Sequence, residues 1–414
     1  MVLSTLKCVG IFVVPLAFVV LVNIVLQSRS LNINSKVFQG YNASQEEGFT
    51  KWERCKRLIS GQDTLNKTGT LSNDSEILGI YRLDQDCARV LQTRFVHPPV
   101  SKEEEQLPIA FGLTVHKGAC LLERLLRAIY MPNNVYCIHI DKKASAVFRT
   151  AIMAIIRCLS NVFIAANSVD VVWGHITLVE AQFSCMEELL KSPVKWKYYL
   201  SLVGQDFPLY DNKQIVRALQ GLNNTNNIDS FPMAGHFSHR VNFVHILNGH
   251  AVRRTNIPKV PPPHNISIYK GSTHIIALRE FVDFALHSQI AKDLYEFLKE
   301  TKVPDEVIYA SLQQLSEAPG GIKGNQLKWI QRAMLWNGGG RNLRGCLGMW
   351  KREVCWISLK DLRWALREDN KEKLFVHKIP FDFNEELIEC ILVARQGRKY
   401  ATALWKGEEN VQKE

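Results

Sequence analysis

An α/β architecture with a mixed, largely parallel sheet flanked by helices is what this sequence predicts, and three observations predict it. The stretch LPIAFGLTV, from Leu107, is a near-continuous apolar run ending at His116, as in a parallel strand buried on both faces. LLERLLRAIY then carries apolar residues at helical spacing, and VYCIHID is a second buried run closing on Asp141. Strand, helix and strand within about 35 residues make a βαβ unit. The pattern continues with VFRTAIMAIIRCL as helix, NVFIAA as short strand, ITLVEAQFSCMEELLKS as helix and KYYLSLVGQDFP as strand. Ligands bind such sheets beyond the carboxyl ends of the strands, which places His116, Asp141 and Asp206 where chemistry would occur.

Before this core, residues Cys8 to Gln27 are uncharged and strongly apolar, long enough to span a bilayer as a helix. Lys7 precedes the run and no small-x-small cleavage pattern follows it. An uncleaved signal anchor is therefore expected in place of the alternative, a cleaved signal peptide, whose apolar core is usually about 7–15 residues. The expected organisation is a cytoplasmic tail over 1–7, a transmembrane helix over 8–27, a lumenal stem over 28–100, a catalytic domain over 101–405 and a C-terminal tail over 406–414. The stem is rich in Asn, Ser, Thr, Gln and charge, carries the separated cysteines Cys55 and Cys87, and is expected to be tied down in its second half.

The chain has 414 residues, 46% of them hydrophobic and 22% charged, which excludes disorder for most of its length. Ten cysteines behind an anchor point to disulfides in preference to metal or redox chemistry, and one of them, Cys8, falls inside the anchor. Nine remain, so one thiol is left over. Sequons at Asn42, Asn66, Asn73, Asn223 and Asn265 fit a lumenal chain. The net charge of +11 suits an anionic partner such as a nucleotide, a phosphate or an acidic glycan, although a merely basic surface explains it as well. Scattered basic residues argue against nucleic acid.

From Asn223 to His264 the chain turns loop-rich, with His236, His239, Arg240 and His245 close in sequence and Pro261 to Pro263 consecutive. The histidine separations match no common zinc signature, and no metal site is expected. YKGSTHIIALREFVDFAL reads as a strand entering a helix, and VPDEVIYASLQQL as a helix opening on Pro304, Asp305 and Glu306. Taken locally, those carboxylates only complement the helix dipole. NGGGRN, at Asn337 to Asn342, lacks the spacing of a phosphate loop.

Taken together, SKEEEQLPIA, LLRAIYMPNNVYCIHID, CLSNVF, GQDFPLYDN, PPPHNISIYKGS, VPDEVIYASL and the run from Cys346 to Cys390 make the chain resemble the core 2/I-branching β-1,6-N-acetylglucosaminyltransferase family, glycosyltransferase family 14. The resemblance runs from about Pro99 to Lys399. It implies a GT-A-like fold, residence in the Golgi membrane as a single-pass type II protein, UDP-GlcNAc as donor, and an O-glycan or poly-lactosamine acceptor. It places Glu306 on the general base that takes the proton from the acceptor C6 hydroxyl. Arg352 and Lys378 fall on cations that serve the donor diphosphate without a divalent metal, and His116 and Asp141 on positions near the uridine. Fixed cations suit that task because the β-phosphate gains charge as the glycosidic bond breaks. An Asp-x-Asp metal motif exists only as Asp84-Gln85-Asp86, ahead of the first core strand.

The resemblance also implies the pairs Cys55 with Cys390, Cys87 with Cys158, Cys137 with Cys185 and Cys346 with Cys355. Cys120 is then the leftover, a buried thiol or a crosslink in a homodimer, and Val203 stands where the family has a cysteine. The acceptor side departs further. Trp336 is kept as an acceptor contact, but Gly338 replaces an aromatic; HITL replaces a Ser-Trp-Ser-Arg-like stretch; Trp173-Gly174 is closer to peptide O-xylosyltransferases; and the basic acceptor loop is rewritten around Arg240. Two further readings follow: a catalytically silent glycan-binding homologue, and a xylosyltransferase-like donor preference.

Overall fold

A computed structural model describes residues 43–60, 62–63, 73–83, 86–324, 328–337, 345–367 and 370–395. The expected anchor over 8–27, both terminal tails and the sequons at Asn42 and Asn66 lie outside them. No helix among the described residues is long and apolar enough to cross a membrane. In chain order the elements begin with α1 (Ala43–Ser60), α2 (Asp74–Leu83), α3 (Cys87–Thr93), α4 (Lys102–Gln106), β1 (Ile109–Val115), α5 (Ala119–Ile129), β2 (Val135–Ile140), α6 (Ala146–Ile156) and β3 (Val162–Ile164). They continue with α7 (Thr177–Lys191), β4 (Tyr198–Val203), β5 (Asp206–Pro208), α8 (Asn212–Gly221), β6 (Ser230–Pro232), α9 (His239–Asn242), β7 (Phe243–Asn248), β8 (Ala251–Pro258), β9 (Tyr269–Gly271) and β10 (Ile276–Leu278). The remainder are α10 (Arg279–His287), α11 (Gln289–Leu298), α12 (Ile308–Leu312), β11 (Arg332–Met334), β12 (Met349–Lys351), β13 (Val354–Trp356), α13 (Leu362–Ala365) and β14 (Phe375–His377).

These elements divide into two compact units. The larger comprises Asn73–Asp206 and Asn212–Arg332; the smaller takes Phe207–Asp211, Ala333–Glu414 and the residues up to Ser72. The core of the larger unit is a five-stranded sheet in the order β10-β4-β1-β2-β3, parallel except for β10, which runs antiparallel to β4. All six residues of β2 are buried, and so is all of β1 but Thr114, which explains why both read as unbroken apolar runs. Helix α7 packs on β1 and β2, while α2 packs on α6 and α5.

Residues 73–100, expected as the second half of the stem, contribute to this unit. The Tyr81 hydroxyl is buried and donates to Glu123 Oε1 at 2.9 Å, and Asp74 Oδ1 accepts the Ala119 amide at 2.7 Å at the start of α5. Cys87 is bonded to Cys158. KYYLSLVGQDFP, expected as one strand, splits into β4 and β5, which belong to different sheets. The loop-rich segment holds an antiparallel hairpin, β7 with β8; alternation there escaped notice because most of its residues are exposed.

In the smaller unit, α1 packs on α13 and on the 3₁₀ turn Leu359–Asp361. Cys55 of α1 is bonded to Cys390, and Arg54 pairs with Glu386. The hairpin β12-β13 is tied at its base by the Cys346–Cys355 bond.

One expected bridge is corrected. Cys137 on β2 and Cys185 on α7 are buried free thiols, as is Cys120. Burial pushes the Cys137 thiol far up, so it stays protonated and hydrogen-bonds with Cys185.

Candidate active site

The carboxyl ends of β1 and β2 place their next residues side by side. His116 follows β1 and is exposed; Asp141 follows β2, is buried, and donates its amide to the Val115 carbonyl at 2.9 Å. The Asp141 carboxylate accepts the Lys143 amide at 2.8 Å and pairs with its ammonium at 3.1 Å. Lys143 also pairs with Asp170. Arg149 donates to the Asp141 carbonyl at 2.6 Å and to Ser168 Oγ at 3.3 Å, fastening the loop after β3 to the sheet edge. His139, which the sequence did not single out, accepts the Val169 amide on Nε2 at 2.9 Å; burial lowers its pKa to about 4, so it is a neutral support for that loop.

Asp206, expected at the same edge, is not available for chemistry. It is fully buried, with Arg332 donating to its two oxygens at 3.0 and 2.9 Å and the Val203 amide adding a third bond at 2.8 Å. The split between β4 and β5 turns this carboxylate inward.

Glu306 sits in a tighter turn than the α-helix start that the sequence predicts. Pro304–Glu306 form a 3₁₀ turn before α12, preceded by Val303 in the left-handed region at φ 57°, whose amide donates to the Gly174 carbonyl at 2.8 Å. Gly174 itself has φ 76°, a conformation that only glycine adopts without cost. Arg240 Nη1 donates to Glu306 Oε2 at 2.8 Å and Lys270 Nζ lies 3.3 Å from the same oxygen. Both cations lean on the Phe237 ring, at 4.5 and 5.1 Å from its centroid. Arg240 thus meets the residue expected as base, a partnership absent from its sequence-based assignment. Lys270 and Phe237 were missed altogether; the only signal was their place in strand-like and aromatic-basic stretches.

Behind Glu306, Asp305 is 6% exposed and its Oδ1 meets no hydrogen-bond donor. Burial first, then the Glu306 charge, raises its pKa to about 7 against the relief of a Thr273 hydrogen bond. Thr273 in turn receives Gln182 Nε2 at 3.1 Å, and Gln182 Oε1 accepts the Tyr309 hydroxyl at 2.9 Å. A buried polar chain therefore braces the turn from below. The nearby histidines serve the backbone: His239 Nδ1 lies 3.0 Å from the His236 carbonyl and His245 Nδ1 lies 2.9 Å from that of Phe243.

In the smaller unit Arg352 occupies the turn between β12 and β13 at φ 50°, exposed, with Glu353 following at φ 65°. Trp336 bridges to Val354 and is 42% exposed. Lys378 follows β14; its carbonyl accepts the Ile357 amide at 3.0 Å and its ammonium lies 6.0 Å from the Trp356 ring centroid. Lys351 approaches the same ring at 4.3 Å. Of the Asp-x-Asp tripeptide, Asp86 caps α3 by accepting the Ala88 and Arg89 amides at 3.0 and 3.3 Å, while Asp84 and Gln85 lie outside the described residues, as does Gly338. Of the sequons, Asn73, Asn223 and Asn265 are exposed.

An open, mainly parallel α/β sheet with polar groups gathered at its carboxyl edge, and a half-buried carboxylate clasped by two cations, defines a ligand-binding α/β protein of the enzyme type. The chain belongs to the Core-2/I-branching enzyme family, whose model matches residues 109–366. Among its relatives, the beta-1,3-galactosyl-O-glycosyl-glycoprotein beta-1,6-N-acetylglucosaminyltransferase 3 of Rattus norvegicus is 35% identical over 72% of this chain and 70% of its own. The N-acetyllactosaminide beta-1,6-N-acetylglucosaminyl-transferase of Homo sapiens is 33% identical over 75% of this chain and 77% of its own. The corresponding O-glycan enzyme 4 of Danio rerio is 35% identical, covering 74% of each chain.

Proposed function

We propose that this protein is an inverting, GT-A-like transferase that moves GlcNAc from UDP-GlcNAc in β-1,6 linkage onto an O-glycan or poly-lactosamine acceptor. Family membership and the activities named for its relatives support the reading. The observation that carries it is Glu306, a partly exposed carboxylate set in a 3₁₀ turn and paired with Arg240 and Lys270. In the reaction, the acceptor C6 oxygen forms a bond to the sugar's anomeric carbon as the bond from that carbon to the β-phosphate oxygen breaks. UDP leaves with the electron pair, and the hydroxyl proton passes to Glu306. Arg352 and Lys378 offset the charge gathering on the diphosphate, Arg through two oxygens and Lys as a point charge, so the reaction needs no divalent metal. His116 and Asp141 contact the uridine, and Trp336 and Arg240 the acceptor. The proposed setting is the Golgi membrane with this domain in the lumen, where Asn73, Asn223 and Asn265 would carry glycans.

The full-length protein in detergent, given UDP-GlcNAc and both acceptor classes in the presence of EDTA, tests the reading. Transfer is expected to survive EDTA, and Glu306→Gln to lower kcat by about 10²- to 10⁴-fold. Undiminished transfer by the variant would remove Glu306 from the mechanism. UDP binding with no transfer to any acceptor would favour a silent glycan-binding homologue.

A further inference from the structure

We infer that Lys351 is a third cation of the donor site, binding the β-phosphate of a nucleoside diphosphate beside Arg352 and Lys378. This deepens the proposed function and rests on its assignment of those two residues to the diphosphate. Residues directly opposite one another in antiparallel strands share a face. In the hairpin β12-β13, Lys351 stands opposite Val354 and Met349 opposite Trp356, and Trp336 bridges to Val354. Trp336, Val354 and Lys351 therefore form one row, with Trp356 a step along the same face. Val354 is buried in the middle of that row, whereas Trp336 and Lys351 are exposed on either side of it. The face that offers Trp336 to a substrate thus offers Lys351 as well.

The Trp356 ring gathers two ammonium groups. Lys351 Nζ lies 4.3 Å from its centroid and Lys378 Nζ lies 6.0 Å from it, within the range over which an aromatic ring attracts a cation. Phe381 meets the same indole in a T-shaped contact with centroids 6.4 Å apart, which steadies the platform. Arg352 occupies the adjoining turn. Glu353 is the acid of that turn, and the balance over residues 351, 352, 353 and 378 stays positive. Like charges so placed repel unless an anion comes between them. A diphosphate suits that role: UDP-GlcNAc carries a negative charge on each phosphate, and UDP leaves with one more on the β-phosphate. Two cations balance the bound donor; a third offsets charge that appears only as the glycosidic bond breaks, where stabilisation raises kcat. A lysine on its flexible stem can leave the indole for that phosphate.

Titration calorimetry of the full-length protein in detergent with UDP, UMP and uridine provides the test, and it needs no acceptor. Lys351→Met is expected to weaken UDP about tenfold while leaving UMP and uridine nearly unchanged, and Lys351→Arg, which keeps the charge, to bind UDP close to the wild-type level. Unchanged affinity of Lys351→Met for UDP overturns the inference. So does an equal loss for all three ligands, which would mean that Lys351 only supports the hairpin. Arg352→Met and Lys378→Met in the same titrations separate this inference from the reading beneath it. If they weaken UDP and Lys351→Met does not, Lys351 alone is removed from the site. If the wild type binds no UDP, or none of the three variants weakens it, the assignment of the diphosphate to this hairpin falls and Lys351 falls with it.

Discussion

Replacing Asp305 by Asn should remove a pH dependence that the wild-type protein carries in its stability. Burial raises the folded-state pKa of Asp305 from 3.8 to about 7. Between those values the folded protein keeps a proton that the unfolded chain has released, so stability falls as pH rises through this window and levels off above it. At about 1.36 kcal/mol for each pH unit, the interval of roughly three units amounts to about 4 kcal/mol. Asn never ionises and can still accept from Thr273, so the variant gains on the wild type by about 1.4 kcal/mol per pH unit between about pH 5 and 7. Unfolding midpoints of both proteins across that range, followed by intrinsic fluorescence in urea, provide the comparison. A stability difference that stays constant with pH would refute the reasoning, because only a titrating Asp305 produces a slope.

Two further outcomes follow from buried contacts. Arg332→Met leaves Asp206 charged, fully buried and short of two donors, and should cost about 3–5 kcal/mol, read as a lower urea midpoint; an unchanged midpoint would show that Asp206 is protonated or rehydrated. Replacing both Cys55 and Cys390 by Ser opens a cross-link spanning 335 residues and should cost about 4–5 kcal/mol, seen as earlier proteolysis of α1, whereas resistance equal to the wild type would mean that the packing of α1 on α13 suffices alone.

Strands β1, β2 and β4 and helices α5, α6 and α7 were legible because each buries residues at its own period, and a buried parallel strand leaves an unmistakable apolar run. The hairpin of β7 and β8 was not, since exposed strands lack that contrast. His116 and Asp141 were placed correctly at strand ends by the same logic, yet Asp206, which follows the same kind of run, turned inward to meet Arg332, 126 residues further along the chain.

The sequence by itself determined the α/β class, the order of most core elements and the family, for these depend on periodicity and on ordered motifs. Only the tertiary structure decided who meets whom. It set Arg240 and Lys270 on one oxygen of Glu306, buried Asp305 beside it, and left Cys137 and Cys185 as thiols. Local spacing reports how one element faces the core, whereas charge pairing, burial of a single carboxyl and the state of two sulfurs depend on segments that only packing brings together.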